Sequence, residues 1–66
     1  MMNKSDIDKR ICDCEPDATN TETYREFIIN AIKEIYGEKA RLPDIDKMSE
    51  IEINELIDDL DYLLEK

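Results

Sequence analysis

Ser49 and Glu52 stand three residues apart, just ahead of an apolar series that recurs every three or four positions: Ile53, Leu56, Ile57, Leu60, Leu63 and Leu64. No other feature constrains the fold of this chain as tightly. Serine followed three residues later by glutamate is a capping box, in which each side chain satisfies the other residue's orphan backbone N–H. Met48 and Ile53 flank it at the spacing of a hydrophobic staple. At about 100° per residue the series covers an arc of about 120°, the stripe of an amphipathic helix. The pattern predicts a helix over residues 50–65.

A second stretch, Glu-Thr-Tyr-Arg-Glu-Phe-Ile-Ile-Asn-Ala-Ile-Lys-Glu-Ile-Tyr-Gly, predicts a helix over about 22–36. Two capping boxes compete for its start, Thr23 with Glu26 and Thr19 with Glu22, and Gly37 is a natural stop in a left-handed C′ position. Its apolar residues run from Tyr24 to Tyr36 and sweep about 200°, more than one partner helix can cover. A second surface must therefore meet it: the N-terminal segment, another subunit or a target. A second subunit would meet it through Ile29, Ile32 and Tyr36, which makes a homodimer an expectation.

Pro43 holds Leu42 out of helical geometry and forbids one continuous helix through the connection. Leu42, Ile45 and Met48 are expected to tuck under the hairpin. A connection of about a dozen residues is long for a compact domain, so a helical turn is expected at residues 38–41. Within the N-terminal segment, residues 1–18, Ser5 offers a weaker start to a short third helix. That helix would carry Ile7, Ile11 and Cys14 on one side and end at Pro16; otherwise the segment is partly flexible. The fold class expected is all-α: one small domain of 66 residues whose residues 19–66 form a helical hairpin.

A core this small rarely supplies more than about 3–5 kcal/mol, so a metal, a disulfide or a partner subunit has to be weighed. The only two cysteines are Cys12 and Cys14. Structural zinc wants four ligands, and no further Cys and no His exists to complete the set. A disulfide across one residue is strained and easily reduced, and a cytosolic chain keeps its thiols reduced. These thiols are expected at the edge of a small core, with a metal-binding or redox module as the minor alternative.

Other chemistry is harder still to place. Counted as a calcium loop from Asp44, the chain puts Asp46 third and Glu55 twelfth. Met48 then falls fifth, where a ligand is needed, and Ser49 sixth, where the turn needs glycine. Acyl carrier proteins are also small, acidic and helical, but they carry their group on the serine of an Asp-Ser-Leu motif. Here Ser5 lies in Lys-Ser-Asp and Ser49 in Met-Ser-Glu. With no histidine, the commonest general base and the commonest metal ligand are both missing. Neither a phosphate loop nor a nucleophile–base pair is present. No enzymatic activity and no cofactor are expected.

Charge is the remaining signal. The net charge is −9, of which residues 44–66, with nine acids and two bases, carry −7. Direct binding to nucleic acid or to an anionic membrane needs a basic patch, so both are disfavoured. The residues after Met1 and Met2 are too polar for a signal peptide, and the cytoplasm is the expected compartment. Opposite the apolar stripe of the last helix lie Glu55, Asp58 and Asp59, with Ile51 and Tyr62 among them. Tyrosine is enriched at binding hot spots, and an acidic surround steers a basic partner. The function expected is that of a protein-binding or regulatory factor whose basic or amphipathic partner docks on Ile51, Glu55, Asp58, Asp59 and Tyr62. The alternative is a DNA mimic that blocks a DNA-binding protein. Seven acids between Glu50 and Glu65 give one charge per about 3.4 Å of helix, matching one DNA strand but only half the density of the duplex.

Overall fold

A computed structural model describes residues 2–65, and over these the chain is all-α. A single 3₁₀ turn at Lys4–Asp6 leads into α1, Ile11–Cys14; α2 spans Tyr24–Tyr36; a second 3₁₀ turn at Ile45–Lys47 precedes α3, Glu50–Leu64. The two long helices form the hairpin. Their starts are set by the capping boxes. Thr23 Oγ1 accepts from Glu26 N–H while Glu26 Oε1 accepts from Thr23 N–H, and Ser49 and Glu52 make the same reciprocal pair. The Thr19–Glu22 alternative does not form. Asn20 takes that place, its Oδ1 accepting from Glu22 N–H, while the Glu22 carboxylate accepts from Asn30 Nδ2.

Gly37 ends α2 with φ 95°, but its ψ of 165° is extended rather than left-handed helical. This is a region open essentially to glycine alone. The chain thus leaves the helix sharply, and the turn that follows carries one backbone bond, Ala40 N–H to Gly37 O. The helical turn expected at residues 38–41 is displaced to Ile45–Lys47. Residues 38–39 instead form a tight turn closed by that Ala40–Gly37 bond, and Pro43 holds only Leu42, directly before it, out of helical geometry. Of the three apolar residues expected to tuck in, Ile45 is buried, Met48 is half-buried and Leu42 stays exposed.

The N-terminal segment does not form one helix from Ser5. It breaks after Asp6, and α1 begins only at Ile11. A four-residue helix cannot satisfy its own first N–H groups. Here Ile11 N–H donates to Glu22 O and Cys12 N–H to Asn20 O, next to an isolated antiparallel bridge between Arg10 and Thr23. The chain before α2 therefore serves as the cap of α1. Glu15, directly before Pro16, is extended at φ −122°, which ends α1 where the proline predicts.

One core results, made by Met2, Ile7 and Ile11 from the N-terminal segment, Tyr24, Ile28, Ala31 and Ile32 from α2, Ile45, and Ile53 and Leu60 from α3. The N-terminal segment is thus what meets the wide apolar arc of α2. Polar ties hold it there. Asn54 on α3, buried, accepts from Met2 N–H at 2.9 Å and donates to Met2 O at 2.9 Å. Arg25 on α2 pairs with Asp8 at 2.7 Å and Asp46 at 2.8 Å, which joins the N-terminal segment to the second 3₁₀ turn. Leu63 and Leu64, expected within the buried stripe, lie exposed at the end of α3. Among the described residues no helix is long and apolar enough to cross a membrane.

Candidate protein-binding surface

The α3 series carries the acidic face. Ile51, Glu55, Asp58 and Tyr62 follow each other at steps of four, three and four residues, which aligns them on one side of a helix. All are exposed, Ile51 at 62% and Tyr62 at 59%. Two large apolar groups thus stand in solvent between carboxylates. Asp59 belongs to this face only at its edge. It also lines a cleft of about 730 Å³ between the end of α2, the connection after Gly37 and α3.

That cleft is mostly apolar. Its α3 wall presents Leu56, Leu60 and Leu63 beside Asp59; its other wall presents Tyr36, Leu42 and Pro43, with Lys39 and Arg41 on the rim. The sequence held a signal for it that the helical periodicity did not use. Leu42 and Pro43 are apolar in a connecting loop, and Leu63 extends the apolar stripe beyond what α2 reaches to cover.

The acidic face is electrostatically uneven. The Asp61 carboxyl lines a hollow of about 210 Å³ with Ile11, Glu15, Tyr24 and Phe27. Desolvation there holds it above the usual carboxylate range, and Glu65, Asp58 and Glu15 add repulsion in the same direction. At the other end of α3, the Ser49 backbone N–H holds the Glu52 carboxylate below its ordinary value. The two shifts have local causes: a capping hydrogen bond at Glu52 and desolvation at Asp61.

Cys12 and Cys14 are both free thiols and both half-buried, and Cys14 packs against the core. Residues two apart on a helix point to different sides, so α1 does not aim the two sulfurs at one ion. Among the described residues no group of three or more Cys, Asp or Glu is gathered as a metal cage. In the segment read as a calcium loop, Asp46 is engaged by Arg25 and Asp44 by Lys47. Pairing with Arg25 also holds Asp46 below the usual carboxylate range.

The three residues named for a homodimer are not equivalent. Ile32 is buried within the protomer, Ile29 is half-buried, and Tyr36 is 65% exposed at the mouth of the cleft. Compared with models of protein families, with curated proteins and with solved structures, the chain finds no match in any of the three.

Proposed function

We propose that this chain is a non-catalytic protein-binding factor that takes a basic or amphipathic partner on the α3 face of Ile51, Glu55, Asp58, Asp59 and Tyr62. One observation carries the reading: Ile51 and Tyr62 are exposed on the same side of the helix as the carboxylates. Burial of an exposed tyrosine against a partner contributes affinity, and the surrounding carboxylates raise the rate of encounter with positive charge. The net charge of −7 over residues 44–66 gives those carboxylates a favourable background field.

The test starts from a partner captured from the lysate of the producing cell, whose affinity is then measured against variants. Tyr62→Ala should weaken binding by about 1–2 kcal/mol, chiefly through faster dissociation, with the circular dichroism spectrum unchanged. Reversal of charge at Asp58 and Asp59 should slow association and flatten its dependence on salt. A DNA mimic gives the opposite ranking: the carboxylates outweigh the tyrosine, and duplex DNA competes for the partner. Equal affinity across all the variants refutes the α3 face as the binding site.

A further inference from the structure

We infer that the cleft between the end of α2 and α3 takes the apolar face of an amphipathic helix, whose basic flank rests on the carboxylates of α3. This rests on the protein-binding reading above and specifies the mode of capture. The cleft, at about 730 Å³, is lined mostly by apolar side chains from both helices and the loop, the apolar groove that an amphipathic helix docks into. Its walls are two helices and the loop that joins them, a groove of the kind that receives a helix by its i, i+3, i+4 and i+7 residues.

Asp59 is the link between the two surfaces. At about 100° per residue it lies about 40° from Leu63 and about 60° from Leu56, both cleft residues, and about 40° from Glu55 on the acidic face. A helix seated on Leu56 and Leu63 therefore brings its flank directly over Asp59 and Glu55. The opposite rim fixes the orientation. Lys39 and Arg41 stand there, and among the described residues neither is paired with a carboxylate. The occupant's basic side must therefore face α3 and not the loop.

A second copy of this chain fits the cleft less well. A two-fold contact pairs the same patch with itself, and here the patch includes α3. Two segments of net charge −7 would then face each other across the contact, and like charges brought together repel. The two rim bases offset only part of that repulsion.

The probe is a synthetic peptide of about 14 residues made of leucine and lysine, with the leucines at helical spacing. A scrambled peptide of equal composition and charge serves as reference. Binding to the full chain is read by fluorescence polarisation, and the site by amide chemical shifts. The patterned peptide should bind at least about tenfold more tightly than the scrambled one, with shifts gathered at residues 36–43 and 56–63. Leu63→Asn and Leu42→Asp should each remove most of that preference. The second is informative because it adds a negative charge, which would otherwise attract the peptide. Equal binding of the two peptides overturns the inference. So does unchanged affinity in Leu42→Asp and Leu63→Asn when Tyr62→Ala and reversal at Asp58 and Asp59 still weaken binding; the α3 face then stands without the cleft. Sedimentation that shows self-association abolished by Leu42→Asp assigns the cleft to a second copy, and also overturns it. No binding of either peptide refutes the cleft as a helix groove, and the α3 reading is then judged by its own partner.

Discussion

Asn54 is the residue whose role most exceeds its appearance. It stands in the middle of α3, where an amide has no reason to be buried, yet it is only 9% exposed. Its side chain satisfies both backbone groups of Met2, and its Nδ2 also donates to Glu50 O at 2.9 Å. Asn54→Ala would leave the Met2 N–H and C=O without partners, and a buried unsatisfied group costs about 1–3 kcal/mol. Stability measured by urea denaturation should fall by about 2 kcal/mol, with most of the secondary structure retained.

Tyr24 makes a different test. Its hydroxyl donates to Glu15 Oε1 at 3.1 Å, and burial, aided by that carboxylate, pushes its pKa up to about 12 from 10.0. A raised pKa in the folded state means that folding favours the protonated phenol. The contribution is therefore complete below pH 10.0 and is lost as pH rises toward about 12. The stability advantage of the native chain over Tyr24→Phe should be constant at neutral pH and vanish across that alkaline interval. An advantage that persists to pH 12 would contradict the assignment.

At the scale of elements, the two long helices show what a capping box decides and what it leaves to competition. α3 had one box and one start; α2 had two boxes four residues apart, and the structure uses the later one. The reason is tertiary. Residues 20 and 22 give their carbonyls to the first N–H groups of α1, which requires extended backbone where an earlier helix start would require helical backbone. Thr23→Ala should therefore destabilise the protein by about 1 kcal/mol, the usual value of an N-cap, and Thr19→Ala by much less. Thermal melts of the two variants separate them. Equal losses would mean that both boxes act.

For the molecule as a whole, the question is what holds 66 residues together when both cysteines are free thiols. The N-terminal segment supplies Met2, Ile7 and Ile11 to the core, and Arg25 fastens it between Asp8 and Asp46. This closure occupies the part of the α2 arc that one helix could not cover. Stability should accordingly be independent of the thiols. Replacement of both Cys12 and Cys14 by serine should leave a cooperative melt shifted by no more than about 1 kcal/mol, unaffected by a chelator. A large fall in melting temperature on chelation of the native chain would show that a metal does the stapling.

Local physics was enough for much of this. The periods of α2 and α3, the Ser49–Glu52 box, the stop at Gly37 and the end of α1 before Pro16 depend on residues within a turn of one another, so they were legible in the sequence. The acidic face was legible for the same reason, since Ile51, Glu55, Asp58 and Tyr62 share a side through helical spacing alone. Packing between distant residues decided the rest. Asn54 meets Met2 across 52 positions and Arg25 meets Asp46 across 21, and neither pair leaves a mark in any local window. The split of the N-terminal segment, the choice of Thr23 over Thr19 and the cleft at Leu42 and Leu63 all depend on which segments pack against α2 and which do not. That choice depends on the shapes of the surfaces that meet, which only the tertiary structure contains.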